Sequence, residues 1–197
     1  MKYFILIIVL ITSACSSNLK SYHQQIQKIK ENLKADSENA KLSPNKIFFP
    51  QHLIDLDFLD GIKMPHFKAS DLYNQKKKYT YSDKKYTLLN FWFITCPPCV
   101  REIPHLNQLQ KDFPESLEIV GLGRDDKKDI IEFMEEHPIN YTIIPEADSL
   151  INEVFLFSWG YPRNILIDQK GKVIEMCRGF DSVQDTCYQN IMELLNR

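Results

Sequence analysis

Hydrophobic and polar positions along the chain fall into two regimes that change near residue 50. Before that point a short apolar run, Tyr3 to Ile11, follows Met1-Lys2, and residues 16–50 are polar, rich in Gln, Lys, Asn and Glu, with no strand-like run. Within this stretch Ser21 to Lys34 carries Ile26, Ile29 and Leu33 at helical spacing. Three apolar positions make a narrow face, so the segment is expected to serve as a polar tether. Gln51 to Ile62 is more apolar, through Leu53, Ile54, Leu56, Phe58 and Leu59, and is expected to pack on the edge of a domain.

From Lys63 onward the pattern alternates between strand and helix periods. Two short strands are expected at Ala69 to Tyr73 and Tyr79 to Tyr81, with Lys76 to Lys78 as a solvated hairpin turn between them. Tyr86 to Ile94 is apolar and aromatic apart from Asn90, the composition of a central strand covered on both faces. A helix follows, with Val100, Ile103, Leu106, Leu109 and Phe113 at three- or four-residue spacing, and Pro104 is expected to kink it. A strand at Leu117 to Val120 leads into a helix from Asp126 to His137, with Ile130, Phe133 and Met134 on its apolar face. A strand at Tyr141 to Ile144 precedes a helix at Asp148 to Phe157. Asn164 to Asp168 and Lys172 to Cys177, joined by the tight Gln169-Lys170-Gly171 turn, must pair as a hairpin, and a last helix spans about Ser182 to Leu195. Parallel units followed by an antiparallel hairpin indicate an α/β sandwich with a mixed central sheet.

Composition narrows the function classes. The 197 residues include 24 basic and 26 acidic ones, a formal charge of -2, and the charges are mixed along the chain rather than gathered into a basic tract, so nucleic acid is not an expected partner. Five cysteines, Cys15, Cys96, Cys99, Cys177 and Cys187, are too few for a small disulfide-stapled scaffold. The start has the layout of an export signal, and its apolar run is far shorter than the roughly 20 residues of a membrane span. Thr12-Ser13-Ala14-Cys15 resembles a bacterial lipobox, which implies cleavage before Cys15 and acylation of that cysteine. The expected organisation is a lipoprotein signal over 1–14, the attachment cysteine and polar tether over 15–50, and one domain over 51–197.

Cys96-Pro97-Pro98-Cys99 sits where the central strand gives way to a helix. Two cysteines at that spacing can close a small disulfide ring, with unequal reactivities. The first thiolate lies among unpaired N–H groups at the positive end of the helix dipole, which lowers its pKa. The second lies one turn inside, more buried, and is placed to resolve a mixed disulfide on the first. Pro97 and Pro98 suit a first helical turn, where a missing N–H costs little. A zinc half-site is the competing reading of such a pair, and it needs two further ligands. Cys177 and Cys187 have no histidine close by, and His66, His105 and His137 show no ligand spacing, so no metal and no cofactor is expected.

Leu88 to Pro104, read as Leu-Leu-Asn-Phe-Trp-Phe-Ile-Thr-Cys-Pro-Pro-Cys-Val-Arg-Glu-Ile-Pro, resembles the active-site segment of the thioredoxin superfamily, specifically its TlpA/ResA-type membrane-tethered branch. Met64-Pro65-His66-Phe67 resembles the entry segment of that branch, and Gly160 to Asp168 resembles the loop and strand that carry the superfamily's cis-proline. The resemblance covers about Ile62 to Leu195. It implies a thioredoxin-like three-layer sandwich and thiol-disulfide exchange on envelope proteins, most simply as a reductase fed by a membrane thiol donor, with cytochrome c maturation or redox homeostasis as the branch's roles. It makes Cys96 the nucleophile, Cys99 the resolving thiol and Pro162 the cis-proline, with Tyr161 presenting its backbone to a substrate strand beside Pro97 and Pro98.

Two departures from thioredoxin bear on mechanism. Asn90 stands where thioredoxin has a buried aspartate, so that strand offers no carboxylate for the Cys99 proton. Glu102 matches a site glutamate of some branch members and is either that proton acceptor or a solvated glutamate near the helix start. Thr95 stands where many relatives have Trp, which makes the surface beside Cys96 smaller and more polar. Cys177 and Cys187 are read as a structural disulfide or as two buried thiols. Two other functions stay open: a peroxiredoxin-like thiol peroxidase, although that class places Thr where this chain has Phe93, and a non-enzymatic metal-binding module of this fold, which typically uses CxxxC and a distal His. The lipobox reading predicts that Cys15→Ser releases the mature protein from the membrane fraction on centrifugation; tight association of the variant would refute it.

Overall fold

The computed structural model describes residues 17–32, 59–81, 85–156 and 160–197. The expected signal segment, Cys15, and the tether and edge residues 33–58 lie outside them. Five strands form one mixed sheet: β3 (Tyr86–Trp92), β4 (Leu117–Gly123), β5 (Thr142–Ile144), β6 (Arg163–Ile167) and β7 (Val173–Cys177), in the order β5-β4-β3-β6-β7. β3, β4 and β5 run parallel, and β6 and β7 join antiparallel. A separate ribbon pairs β1 (Phe67–Ser70) with β2 (Lys76–Tyr79). The helices are α1 (residues 17–32), α2 (Pro97–Asp112), α3 (Lys127–Glu136) and α4 (Thr186–Leu195).

The period-two alternation of the strands sorts their side chains into two apolar layers. Leu89, Phe91, Val120, Leu122, Ile165 and Ile167 face a cluster shared with α1, the β1–β2 ribbon and Phe155. Leu88, Trp92, Leu117, Ile119 and Leu166 face the opposite cluster, shared with α2, α3 and α4. The expected three-layer arrangement with β3 at its centre is therefore the observed one. Asn90 follows the alternation onto the α2 face. The Trp92 indole lies over β4, where a Cβ on Gly121 would stand 3.1 Å from its Nε1 and only 2.5 Å from Ile143 Cδ1, so the backbone must be bare there.

Three local expectations differ from the structure. The lysines at 76–78 lie within β2, and the turn is at 71–75, where Asp71 Oδ1 accepts from the backbone N–H of Tyr73 (2.8 Å) and Gln75 (2.9 Å). That Asx-type turn, with Asn74 at φ 60°, supplies the reversal that the lysines only border. Lys76 and Lys78 point outward along the ribbon, while Lys77 pairs with Glu118 and lies over the Tyr79 ring. The helix expected at Asp148 to Phe157 contracts to a short helical start continued by a π-helical turn, Leu150–Val154. It ends because Leu156 takes φ 50° once Ile151 and Phe155 have entered the core.

The third difference concerns the polar N-terminal segment. Residues 17–32 form a helix that docks on the domain instead of standing clear of it. Its stripe is Tyr22, Ile26 and Ile29, at i, i+4 and i+7; Tyr22 and Ile26 are buried and Ile29 packs against the same cluster. The docking also has a polar cause. Tyr22 Oη donates to the Phe155 carbonyl (2.8 Å), Lys30 Nζ to the Leu156 carbonyl (2.8 Å), and His23 Nε2 lies 3.0 Å from the Val154 carbonyl. These carbonyls lie at the end of the π-helical turn, where the last carbonyls of a helix accept from donors outside it. Asn18 Oδ1 accepts from the His66 N–H at 3.0 Å and ties the start of α1 to the strand entry.

Truncating Ile26 to Ala should cost about 2–4 kcal/mol in urea unfolding if α1 is part of the core. An unchanged midpoint would return residues 17–32 to the status of a free tether.

Candidate active site

Antiparallel pairing of β3 with β6 sets Phe91 opposite Arg163. The loop leaving β3 and the loop entering β6 therefore meet at one end of the sheet. The first of these carries Cys96 into α2. Cys96 is the helix N-cap, with extended backbone angles, and its Sγ accepts from the Cys99 N–H at 3.4 Å. Pro97 and Pro98 occupy the first helical positions, as their missing donors allow. The loop's entry is held by Asp125 Oδ2, which accepts from the Ile94 N–H at 2.8 Å.

Cys96 and Cys99 are joined as a disulfide, S–S 2.04 Å with Cα atoms 5.2 Å apart. The sulfurs differ in setting: Cys96 is 4% exposed at the helix end and Cys99 is 1% exposed one turn in. The Tyr161-Pro162 peptide is cis, and Tyr161 and Phe93 meet edge to face with ring centroids 5.3 Å apart. Arg124 lies over the other side of Tyr161, 5.7 Å from its centroid. The rim of the site is thus aromatic, with exposed Thr95 and Pro97 beside the disulfide.

Beneath the disulfide lies a polar cluster that the sequence reading had only in part. Glu102, one helical turn beyond Cys99 and on its side of α2, is 1% exposed, which excludes the solvated alternative. Asn90 Nδ2 donates to Glu102 Oε1 at 2.7 Å and to Asn164 Oδ1 at 2.9 Å, and Asn164 Nδ2 donates to Glu102 Oε2 at 2.9 Å. The Phe180 backbone N–H gives the carboxylate a further donor. Burial pushes the Glu102 carboxyl up to about 8, against the pull of these donors, and nearby Asp181 adds to the rise. Asn90 is therefore not a mere lost aspartate; it holds the carboxylate that α2 supplies. Asn164 and Phe180 escaped the sequence reading. A signal for Asn164 was present, because it and Arg163 are the polar residues at the start of the otherwise apolar β6, and the structure sets Asn164 in register with Asn90 of β3.

Gly179 closes the cluster. It has φ 113°, and a Cβ there would come 2.5 Å from Pro162 Cγ and 2.6 Å from Glu102 Oε2. The cis-proline and the buried glutamate are thus separated by the width of a glycine. Tyr141 lies buried nearby, its hydroxyl pushed well above its ordinary range by burial first and by Glu102 second. Cys177 and Cys187 are joined as a second disulfide with Cα atoms 6.2 Å apart. Among the described residues no group of three or more His, Cys, Asp or Glu side chains is arranged to hold a metal, and no helix is long and apolar enough to cross a membrane.

Known proteins resemble this chain in sequence and fold. Residues 61–176 match the model of the AhpC/TSA family. The thiol-disulfide oxidoreductase ResA of Bacillus cereus is 30% identical over 122 residues, 60% of this chain and 69% of that protein. ResA of Bacillus subtilis is 26% identical over 122 residues, 61% of this chain and 68% of its own length. Among solved structures, the thioredoxin domain of a thiol-disulfide oxidoreductase from Bacteroides vulgatus superposes with a TM-score of 0.59 at 25% identity, over 70% of this chain and 98% of that one. A putative thiol:disulfide interchange protein DsbE from Chlorobium tepidum gives 0.61 at 24% identity, over 69% and 97%, and shares the fold.

The buried carboxyl makes stability depend on pH. Folded Glu102 holds its proton up to about 8, whereas the unfolded chain releases it near the ordinary value of 4.5. Between those values the folded state binds more protons, so stability falls as pH rises, by at most about 1.4 kcal/mol per pH unit, and the loss is complete above the folded value. Urea unfolding of the disulfide-bonded protein from pH 5 to 9 should show this decline, and Glu102→Gln should flatten it.

Proposed function

The chain belongs to the AhpC/TSA family as a thioredoxin-like thiol-disulfide oxidoreductase, and from that premise we propose that it reduces disulfides in proteins of the bacterial cell envelope through Cys96 and Cys99. The observation that carries the reading is the pairing of a helix-capping cysteine with a second cysteine one turn from a buried, raised-pKa carboxyl. The Cys96 thiolate, stabilised by the helix start, attacks one sulfur of a substrate disulfide and expels the other as a thiolate. Once ionised, Glu102 takes the proton from Cys99, whose thiolate then attacks Cys96 Sγ, expels the second substrate sulfur as a thiolate and closes the Cys96–Cys99 disulfide. The substrate gains two electrons and two protons, one proton from Cys99 through Glu102 and one from solvent, and a membrane dithiol donor restores the enzyme dithiol.

Tyr161 and Pro162 are assigned to substrate binding, with the Tyr161 backbone pairing with an extended substrate segment beside Pro97 and Pro98. Cys15 is assigned to acylation, holding the domain on the periplasm-facing side of a membrane. More than one acyl chain makes such anchoring stable. Apocytochrome disulfides during cytochrome c maturation are one substrate class consistent with this placement. A peroxidase reading finds no Thr three residues before Cys96, where Phe93 packs on Tyr161, and a thiol-specific peroxide assay separates it from disulfide reduction.

Two measurements test the proposal. Cys99→Ala should accumulate mixed disulfides on Cys96 in the native envelope, identifiable by mass, and Cys96→Ser should accumulate none; an empty trap refutes envelope protein substrates. The reduction potential of the Cys96–Cys99 pair should lie nearer the thioredoxin value of about -270 mV than the oxidant value of about -120 mV, and a value at the oxidant end reverses the direction assigned.

A further inference from the structure

The second disulfide lies close to the first site in the fold. Cys177 ends β7 directly opposite Asn164 of β6, which is opposite Asn90 of β3. Opposed residues in antiparallel strands share a face, so Cys177 stands at the end of the row that contacts Glu102. Its partner Cys187 sits in the first turn of α4, behind the N-cap Asp185, whose Oδ1 accepts from the Cys187 N–H at 2.8 Å. The cross-link closes the loop 178–186 on itself. The first residues of that loop are the ones that touch the active site: Gly179 between Pro162 and Glu102, and Phe180, whose N–H reaches the carboxylate.

Other restraints on this loop are of two kinds. The Phe180 ring is buried between His105 and Tyr188, with centroids 6.3 Å and 5.3 Å away. On the outside Arg101 Nε meets Asp181 Oδ1 at 3.1 Å, and His105 Nε2 lies 3.2 Å from the Asp181 carbonyl. Those outer contacts are solvent-exposed and hold little. The disulfide is the covalent restraint that keeps the start of the loop pressed onto the carboxyl.

We propose that the Cys177–Cys187 disulfide positions the 178–186 loop over Glu102 and Pro162, and so governs how readily Glu102 accepts the Cys99 proton. Cys177, Cys187 and Gly179 are positioning residues in this scheme; neither sulfur of the second pair exchanges with substrate. The inference rests on the assignment of Glu102 as the acceptor for Cys99. The ionisable groups acting on Glu102 are Asp181 of the same loop and Tyr141 beneath it, joined by the Cys99 thiol when the pair is reduced. Opening the loop admits water to the carboxyl, removing the burial that keeps its proton bound. It also withdraws the Phe180 donor, a smaller and opposite effect.

The test compares wild type, Cys177→Ser/Cys187→Ser and Gly179→Ala in the reduction of insulin disulfides across pH 5 to 9. In both variants the pH break assigned to Glu102 should move down by about one unit or more, with the far-UV spectrum unchanged. A folded double-serine variant with the wild-type profile overturns the inference. A wild type that fails to reduce insulin overturns the proposed function instead.

A second measurement needs no cysteine variant. Coupling between two sites is reciprocal, so ionisation of Glu102 must shift the equilibrium between the Cys177–Cys187 disulfide and dithiothreitol. Mass analysis of alkylated peptides should then give a pH dependence for that pair in wild type that differs from the one in Glu102→Gln. Identical dependences overturn the inference even if the double-serine variant does not fold.

Discussion

A carboxyl group buried beneath a disulfide is the constraint around which this molecule is organised. Leaving water without partners is costly for a carboxylate, and the fold answers with N–H donors from three separate places: Asn90 on β3, Asn164 on β6 and the Phe180 backbone after β7. Each donor needs its own strand or loop in register. The antiparallel pairing that puts Asn90 opposite Asn164 also delivers Pro162 to the end of the sheet where α2 begins. The geometry that satisfies Glu102 is therefore the geometry that assembles the site.

That constraint also accounts for the asymmetry of the cysteine pair. Cys96 caps the helix, where the Cys99 N–H donates to its Sγ and the positive end of the helix dipole favours a thiolate. Cys99 is turned inward, where the raised carboxyl of Glu102 lies one helical turn away. One sulfur lies at the helix end and the other one turn inside, beside the buried carboxyl. Gly179 carries the cost of such close packing, since any side chain there would strike both Pro162 and Glu102.

The opposite face of the sheet does the supporting. Phe91 and Phe155 meet edge to face, Phe67 packs on Phe155 in the same way, and α1 seals the cluster with Tyr22 and Ile26. The polar side chains of α1 take up the carbonyls at Val154, Phe155 and Leu156, a few residues before the Gly160-Tyr161-Pro162 loop. A segment that is polar by composition thus becomes structural because three of its side chains meet carbonyls at the end of a helical turn.

Much of the architecture was legible in the sequence because it follows from local rules. The β-α alternation, the central position of β3, the hairpin of β6 and β7, and the start of α2 at Cys96-Pro97-Pro98-Cys99 all follow from hydrophobic period, tight-turn residues and the tolerance of a first helical turn for proline. The same rules misplace the turn at Lys76 to Lys78, where Asp71 supplies the reversal, and undervalue Tyr22, whose partner Phe155 is 133 residues away. Sequence alone determined the Cys96-Pro97-Pro98-Cys99 pair and the elements on which it rides. Only the tertiary structure decided what surrounds them: Asn90, Glu102 and Asn164 are separated by 12 and 62 residues, and no local pattern states which buried polar groups will meet. That choice belongs to strand order and register, since a carboxyl can be buried only where the folded chain brings its donors together.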